Sequence, residues 1–346
     1  MNYKYDISVI IPAFDQEDFI AETIESVLSQ NFSGSYEILI SDDCSQDKTW
    51  EIIKRYEHLS NVKTNRFKVN TSYVGSYNWL IENSHGKYIA HLDGDDLFYP
   101  NKLQNAFDIL ESDQDCSCVF HKVDVEVPSG DILRNYINID TESLKYTYDF
   151  FLRHVCPFVN SSKVFRSKNA LKLEGNLSSW QVFDYWLHLR HIGEGYARVC
   201  SKEELGLWRM FGRGAGPAFE KKIMIIYDRL ISESSSYNSD INANIGIAII
   251  RKILKLRKVS LIEIKIFFKT LPKNREIWLE NYNFIVIKIQ RFLKRYWLSM
   301  FGFDIYVLKK IRFIIILDII QYFTYATRQP TFFVTKIQQS WSHSTW

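Results

Sequence analysis

Short apolar runs alternate with amphipathic stretches over roughly the first 125 residues of the chain. The β-branched run Ile7–Ile11, closed by Pro12, predicts a buried parallel strand. Residues 17–30 carry apolar side chains at helical spacing, which predicts an amphipathic helix. Similar patterns predict strands at 36–40 and 88–92 and helices at 47–56, 76–84 and after Pro100. Strands that alternate with helices in this order indicate an α/β fold with a doubly wound, mainly parallel sheet.

The pattern changes after this region. Alternation from 118 to 127, followed by turn residues, predicts an antiparallel hairpin. A helix is predicted at 184–191, and the glycines and arginines of 206–216 predict a flexible basic loop. Residues from 220 onward have a mainly helical pattern. We therefore divide the chain into a catalytic domain, residues 1–219, and a helical C-terminal region, residues 220–346.

Charge divides the chain at nearly the same place. The whole chain carries 43 Lys and Arg against 40 Asp and Glu, a net charge of +3. From Lys221 onward there are 21 basic against 8 acidic residues, net +13, which leaves 22 against 32, net −10, for the residues before. A basic region rich in apolar and aromatic residues favours an anionic membrane surface over nucleic acid as its partner. The alternative is an ordinary helical subdomain that packs on the catalytic domain.

Cysteine usage and hydropathy bear on the compartment. The five cysteines are scattered and odd in number, which favours reduced thiols in a cytoplasmic protein. No secretory signal is visible. The most hydrophobic stretch, 311–326, is interrupted by Arg312, Asp318 and Gln321 and falls short of the roughly 20 apolar residues that cross a bilayer. We therefore expect a cytoplasmic protein that associates peripherally with the inner face of the cell membrane.

Acidic residues cluster in two turns that follow predicted strands. Asp42 and Asp43 come after one strand, and Asp93, Asp95 and Asp96 come after another. Clustered carboxylates repel one another unless a cation or hydrogen-bond donors neutralise them. Ligands of open α/β sheets bind at the carboxyl ends of the strands. The two turns therefore predict one site that binds a nucleotide with one turn and a divalent metal with the other.

Three segments carry this candidate chemistry: ISVIIPAF at 7–14, DDCSQDKT at 42–49 and GKYIAHLDGDD at 86–96. In this order and spacing they resemble family 2 glycosyltransferases of the GT-A fold, and the resemblance covers about residues 5–215. It implies a nucleotide-diphosphate-sugar donor, of UDP or GDP type, and inversion at the anomeric carbon. It also implies that about residues 1–125 bind the donor and about 126–219 form the acceptor side.

The resemblance implies a metal site in the second acidic turn. Asp95 is the expected direct ligand of a divalent cation, Mg²⁺ or Mn²⁺, with Asp93 as a second ligand and Asp93 and Asp96 in contact with the donor. Such a cation bridges the two phosphates and stabilises the charge that develops on the leaving group. Gly94 would permit the turn between the two acids. The alternative is a solvated turn in which Asp96 caps a helix.

The same resemblance implies a nucleotide site at the first turn. Asp43 would accept a hydrogen bond from the base, Phe14 would stack on it, and Pro12 and Ala13 would supply the surrounding loop. The alternative for Asp43 is turn formation and helix capping. The family's Asn-x-Gly segment is Asn-Thr-Ser here, so that Ser72 replaces a glycine.

Asp184 is the candidate catalytic base. A carboxylate within reach of the acceptor hydroxyl can take its proton, and residues 179–186 match the family's Glu-Asp pair at a helix start, with Phe183 replacing the Glu. The alternative is an acid that is favoured by the helix dipole. His91, within a strand, is predicted to be a packed core residue.

Two arginines are candidates for binding the diphosphate. Arg209 and Arg213 lie in or after the segment 207–211, which resembles the family's Tyr-Arg-x-His segment. Phe211 occupies the place of the His, so we expect no metal ligand from that side. The alternative is that both are surface arginines without a role.

Together these features predict an inverting glycosyltransferase that transfers a sugar to a hydroxyl of a saccharide acceptor. A lipid-linked acceptor in surface polysaccharide or glycan assembly would explain the basic region. One alternative is a sugar transferase acting on a polyprenyl phosphate, an anionic acceptor that needs no base. Another is a degenerate, non-catalytic domain that binds nucleotide sugar or lipid as a scaffold.

Overall fold

One mixed sheet with helices on both faces makes up the part of the chain described by the computed structural model, residues 3–134, 145–154, 158–173 and 183–210. Ten strands of these residues belong to the sheet. In chain order they are β1 (Tyr5–Ala13), β2 (Tyr36–Asp42), β3 (Val62–Arg66), β4 (Gly86–His91), β5 (Leu97–Phe98), β6 (Cys116–Glu126), β7 (Ile132–Leu133), β8 (Tyr146–Thr147), β9 (Val164–Arg166) and β10 (Tyr196–Arg209). The α-helices of the same residues are α1 (Ile20–Leu28), α2 (Thr49–Ile53), α3 (Ser72–Asn83), α4 (Lys102–Ser112), α5 (Tyr148–His154) and α6 (Phe183–Ile192).

The sheet has a parallel part and a mixed part. β3, β2, β1 and β4 lie side by side in this order and are parallel. β9 follows, antiparallel to both β4 and β6, and β10 runs parallel to β6 and antiparallel to β5. β7 pairs antiparallel with β6, which confirms the predicted hairpin. The α/β fold is therefore confirmed, and the carboxyl ends of β1, β2 and β4 lie at one edge of the sheet.

β1 shows why the parallel strands are continuous apolar runs. Val9 and Ile11 pack in one core with Ile24 of α1, whereas Ile10 packs in a second core with Leu80 of α3. Successive side chains of a strand point to opposite faces of the sheet. A strand covered by helices on both faces is therefore apolar at most positions. The buried Ser8 is the exception, and its hydroxyl donates to Glu37 Oε1 at 2.6 Å.

β1 continues through Pro12 to Ala13, beyond its predicted end. Ala13 pairs with Asp42 of β2, whereas the pairing of β1 with β4 ends at Ile10. The carbonyl oxygen of Ile10 accepts a hydrogen bond from the N–H of Leu92, so Pro12, two residues on, faces the side where β4 has turned away. A proline is tolerated there because no neighbouring strand needs the N–H that it lacks.

The predicted helices of the first 125 residues are present, with shifted ends. α1 begins at Ile20 rather than at 17, because the N–H of Glu17 donates to Asp47 Oδ2 and residue 17 belongs to a loop. The helix predicted at 184–191 is confirmed as α6. No helix among the described residues is long and apolar enough to cross a membrane.

The flexible loop predicted at 206–216 is wrong for its first four residues, which belong to β10. Gly206 pairs with β5, and a Cβ at this position would come 2.7 Å from the carbonyl oxygen of Leu97. The glycine is therefore explained by a close approach between strands and not by flexibility. Arg213 and the rest of this segment lie outside the described residues, as does the predicted helical region 220–346.

Candidate active site

A cavity of about 500 Å³ lies at the carboxyl ends of β1, β2 and β4. This volume falls in the range of small-molecule sites. It brings eight of the predicted site residues together. Its walls are formed by Pro12, Ala13, Phe14, Gln16, Asp43, Asn70, Ser72, Tyr73, Ser76, Asp93, Asp95, Asp96, Trp208 and Arg209. Of these, Gln16, Tyr73 and Trp208 carry no signal in the sequence beyond their nearness to the recognised segments.

The turn after β2, where the nucleotide is predicted to bind, forms one end of the cavity. Asp43 is 4% exposed, and its Oδ1 accepts hydrogen bonds from the N–H of Thr71 at 2.7 Å and from its Oγ1 at 2.6 Å. Asp43 Oδ2 makes no hydrogen bond to a described residue and can still accept one. Phe14 is 42% exposed, so part of its ring surface is available for stacking. Asp43 and Phe14 therefore line the same cavity, and their roles in nucleotide binding stay predictions.

Two residues of this end have left-handed backbone conformations. Cys44, directly after Asp43, has φ of +67°, and the residue is partly exposed. Ser72 has φ of +61°, a conformation that glycine adopts without strain. The glycine that the resemblance places here is absent, yet the backbone conformation that favours it is kept.

The second acidic turn is held by α1 and by neighbouring loops. Thr23 Oγ1 lies 3.0 Å from the carbonyl oxygen of Gly94 and 2.9 Å from that of Asp96. The φ of Gly94 is not positive, but a Cβ there would come 2.3 Å from Gln16 Oε1 and 3.1 Å from Pro12 O. The glycine is therefore favoured by crowding around the turn, above all from the Pro12 carbonyl, and not by the special backbone conformation that the sequence predicts.

Asp95 and Asp96 have different environments although they are adjacent. Asp95 is partly exposed, and loss of hydration, followed by the negative charge of Asp93, raises the pKa of its carboxyl to about 6. Asp96 is 1% exposed, and its Oδ1 accepts the N–H of Arg209 at 2.9 Å while its Oδ2 accepts Ser161 Oγ. Burial raises the pKa of Asp96 well above its usual value. Asp95 is thus the better placed of the two to bind a ligand.

Asp93 is backed by a buried polar chain. Its Oδ1 lies 2.9 Å from His91 Nε2, and this nitrogen lies 2.8 Å from Asn160 Nδ2. Asn160 Oδ1 in turn accepts from Lys163 Nζ at 2.6 Å. Burial acts to raise the pKa of Asp93, but the hydrogen-bonded His91 and the positive charge of Lys163 outweigh it, and the pKa lies below its usual value. The prediction that His91 is buried is confirmed. Its contact with Asp93 was not predicted from the sequence.

Asp184 lies in the first turn of α6 and is exposed at the surface. The protein around its carboxyl nevertheless raises its pKa to about 7, through loss of hydration first and the negative charge of Asp93 second. Asp93 and Asp184 are therefore close enough to interact electrostatically. A carboxyl that titrates near neutral pH is suited to general base catalysis.

Arg209 forms part of the cavity wall at the end of β10. Its guanidinium donates to the side chains of Glu22 and Glu126 and to the carbonyl oxygen of Asp95. The predicted role in phosphate binding stays a prediction, and these contacts provide a different explanation of the residue.

The carboxylates of the second turn fit a divalent cation. Asp93 and Asp95 face the same cavity, and the pKa of Asp95 is raised first by loss of hydration and second by the negative charge of Asp93. Mg²⁺ and Mn²⁺ bind carboxylate oxygens and keep water or phosphate ligands. No group of three or more His, Cys, Asp or Glu among the described residues is arranged to hold a metal ion. A cation at Asp93 and Asp95 would therefore take its other ligands from water or from a substrate.

Comparison with solved structures identifies the fold. A crystal structure of S. aureus TarS 1–349 in complex with UDP aligns with a TM-score of 0.59 at 16% identity, covering 87% of this chain and 94% of that chain. In another TarS crystal structure the chain covers 49% of the neighbour's length, with a TM-score of 0.56. The mixed sheet of this chain is thus the GT-A fold of glycosyltransferases.

Sequence comparison places the chain within that class. Residues 8–172 match the family model described as Glycosyl transferase family 2. This match, over 165 of the chain's 346 residues, confirms the resemblance to family 2 glycosyltransferases and identifies a transferase enzyme. TuaG of Bacillus subtilis, named for teichuronic acid biosynthesis, is 28% identical over 210 residues, 60% of this chain and 81% of TuaG. The Escherichia coli glucosyltransferase WfaP, named for a GlcNAc-diphosphoundecaprenol acceptor, is 36% identical over 110 residues, 31% of this chain and 42% of WfaP.

Proposed function

We propose that this protein is an inverting glycosyltransferase that moves a sugar from a nucleotide diphosphate, of UDP or GDP type, to a hydroxyl of a saccharide acceptor. The observation that carries the proposal is the single cavity that gathers Phe14, Asp43, Asp93 and Asp95. Asp184 is close enough to Asp93 for its pKa to be raised by that charge. This influence supports a candidate base beside the proposed donor site.

The donor would lie along the cavity from the first turn to the second. The partly exposed ring of Phe14 offers a stacking surface for the base, and Asp43 Oδ2 can accept a base N–H. Asp95 and Asp93 would hold a divalent cation beside the diphosphate. When bound, that cation would supply Lewis-acid stabilisation of the charge on the leaving group.

Asp184 would act as the base in a direct displacement. Its carboxylate accepts the proton of the acceptor hydroxyl while that oxygen attacks the anomeric carbon. The bond from the anomeric carbon to the phosphate oxygen breaks, and the nucleoside diphosphate leaves with the electron pair. A pKa of about 7 keeps a substantial fraction of Asp184 ionised at neutral pH and leaves it basic enough to take the proton.

The acceptor is proposed from the relatives and from charge. WfaP is named for an undecaprenol-linked acceptor and TuaG for a cell-surface polymer. The net charge of +13 from Lys221 onward supports contact with anionic lipid at the inner face of the membrane. We therefore place the protein in surface polysaccharide synthesis, acting on a lipid-linked saccharide.

The test is a panel of UDP- and GDP-sugars, assayed for donor hydrolysis and for transfer to lipid-linked saccharides, with Mn²⁺, Mg²⁺ or chelator. We expect one donor to be hydrolysed slowly, in a metal-dependent reaction, and transfer to depend on Asp184. Transfer to polyprenyl phosphate that persists in Asp184→Asn would instead favour the transferase that needs no base. Absence of hydrolysis and transfer with every donor would refute the proposal.

A further inference from the structure

Arg209 is enclosed by acidic and aromatic side chains at the end of β10. Its side chain is 7% exposed. Nε donates to Glu126 Oε2 at 2.9 Å, Nη1 to the carbonyl oxygen of Asp95 at 2.9 Å, and Nη2 to Glu22 Oε2 at 2.5 Å. The guanidinium carbon also lies 5.1 Å from the ring centre of Phe19. The three nitrogens of the group thus each have a protein acceptor.

These contacts neutralise the positive charge of the Arg209 guanidinium, which a phosphate would need for binding. Glu22 and Glu126 supply two carboxylates to one guanidinium, and hydrogen bonds between charged groups are the stronger ones. Glu126 pairs with Arg209 in the register of β6 and β10, and its carbonyl oxygen accepts the N–H of Met210 at 2.8 Å. The ion pair to Glu126 is therefore fixed by the backbone of two paired strands.

Arg209 also touches the second acidic turn from two directions. Its Nη1 binds the main chain at Asp95, and its own N–H donates to Asp96 Oδ1 at 2.9 Å. Glu22 lies on α1, the helix whose Thr23 holds the same turn. One side chain thus connects α1, β6 and the turn that carries the candidate metal ligands.

We propose that Arg209 is a positioning residue, which fixes the main chain at Asp95 so that the Asp95 carboxylate faces the cavity. It does this through Glu22 and Glu126 and does not bind the diphosphate. The planar guanidinium can bind three acceptors in fixed directions, which a lysine ammonium cannot reproduce. This role of Arg209 rests on the proposed function in one respect, namely that the turn at Asp95 serves as the metal site.

Two variants separate positioning from phosphate binding. Arg209→Lys keeps the positive charge that a phosphate requires but cannot make the guanidinium's three hydrogen bonds to Glu22, Glu126 and the Asp95 carbonyl. Glu126→Gln removes a carboxylate that competes with phosphate for the guanidinium. If Arg209 binds the diphosphate, Glu126→Gln should free it and tighten nucleotide binding. If Arg209 positions the turn, both variants should impair the site in the same way.

The experiment compares Arg209→Lys, Glu126→Gln and the double variant with the wild type and with Arg198→Lys. Arg198 is a suitable control because it lies on the same strand and pairs with Asp113 at 3.3 Å, on a different part of the surface. The measurements are turnover, Mn²⁺ affinity by electron paramagnetic resonance, thermal midpoint, and calorimetric affinity without metal for UDP or GDP, whichever binds the wild type more tightly.

We expect Arg209→Lys and Glu126→Gln each to lower turnover and Mn²⁺ affinity at least about tenfold, a change that corresponds to roughly 1.4 kcal/mol. The double variant should be little worse than either single one, because the two residues act as one unit. Metal-free nucleotide affinity should change less than about twofold. The thermal midpoints of the two single variants and the double variant show whether Arg209 and Glu126 are energetically coupled. This tests the ion pair even if the protein transfers no sugar.

Two results would overturn the proposal. The first is tighter metal-free nucleotide binding in Glu126→Gln, or binding weakened tenfold in Arg209→Lys, as expected of a phosphate ligand. The second is turnover and Mn²⁺ affinity in Arg209→Lys equal to those of Arg198→Lys.

Discussion

Asp93, Asp95 and Asp96 show how neighbouring residues of one type acquire different properties. Asp96 is buried with both oxygens hydrogen-bonded, and Asp93 is bound from behind by His91. Asp95 keeps a partly exposed carboxyl whose pKa is raised to about 6. Burial and partners therefore assign the three acids different tasks, of which ligand binding fits Asp95 best.

Asp95→Asn should reduce metal-dependent transfer at least about 10²-fold, on the scale of removing a main electrostatic contributor. The fold should be kept, because the side chain lies on a partly exposed turn. Activity, Mn²⁺ binding and circular dichroism measure the change. Asp108→Asn, at an exposed acid on α4, is the matched control. Full activity in Asp95→Asn, or in the wild type with excess chelator, would contradict the metal site.

Asp184 should give the reaction its pH dependence. A base works only when it is deprotonated, and the pKa of Asp184 lies at about 7. Transfer, measured as kcat/KM, should therefore rise as the pH passes upward through about 7 and level off above it. Asp184→Asn should lower turnover about 10²–10⁴-fold and remove this dependence, with donor affinity little changed. Donor binding that is lost in parallel with activity would show that Asp184 has another role.

Ser72 offers a test of local strain. A left-handed conformation costs a residue with a Cβ roughly 1–2 kcal/mol, and glycine gives back about 0.5–1 kcal/mol through its freer unfolded chain. Ser72→Gly should therefore raise the free energy of unfolding by up to about 1 kcal/mol, measured by denaturant titration. Ser72→Ala keeps the Cβ and should gain nothing. Equal stability of the two variants would mean that the backbone is relaxed at this position.

At the scale of elements, the parallel strands could be predicted because burial on both faces leaves a clear signal. β1, β2 and β4 have continuous apolar runs. β3, by contrast, is a polar edge strand, and β10 contains charged residues and a glycine, so that neither has such a pattern. Their pairing partners are fixed by tertiary contacts that a local sequence pattern does not contain.

The candidate site also has a part that could be predicted from the sequence and a part that could not. Its two acidic turns could be predicted because each is a short segment at the end of a strand. The support behind them could not, since Asn160 lies 69 positions from His91, and Glu22 lies 187 positions from Arg209. Neither pair has a sequence spacing that indicates contact.

The contact between α1 and the second acidic turn can be tested at Thr23. Thr23→Val keeps the shape of the side chain but removes the hydroxyl that lies near the carbonyl oxygens of Gly94 and Asp96. The buried carbonyls lose a donor, which should cost about 1–2 kcal/mol of unfolding free energy and weaken Mn²⁺ binding. Ser29→Ala is the control, because among the described residues that exposed hydroxyl donates to the carbonyl of Ser26 alone, at 3.3 Å. If Thr23→Val and Ser29→Ala have the same unfolding free energy and the same Mn²⁺ affinity, α1 does not hold the turn.

At the scale of the molecule, the chain joins an acidic part to a basic one. Residues from Lys221 onward carry a net charge of +13, and attraction to an anionic surface amounts to about 1 kcal/mol per basic residue near it. Full-length protein should therefore sediment with anionic vesicles, less in high salt and less with neutral lipid. Residues 1–219 alone should remain in the supernatant.

Circular dichroism and thermal unfolding must show that the truncated protein is folded, because the removed region can also cover apolar surface. Equal vesicle binding by both proteins, or none by the full-length chain, would leave the region 220–346 as a packing subdomain. The acceptor would then need no membrane.

The position of Cys44 has a practical consequence for work on this protein. Burial raises the pKa of Cys116 to about 11, and loss of hydration raises that of Cys200, which is itself partly exposed, to about 12, so that both thiols stay protonated and slow to react. Cys44, partly exposed, directly follows Asp43. A fluorophore attached to this natural thiol would stand beside the wall where the base of the donor is expected. Ligand occupancy could then be read optically, in real time, without a residue being added to the chain.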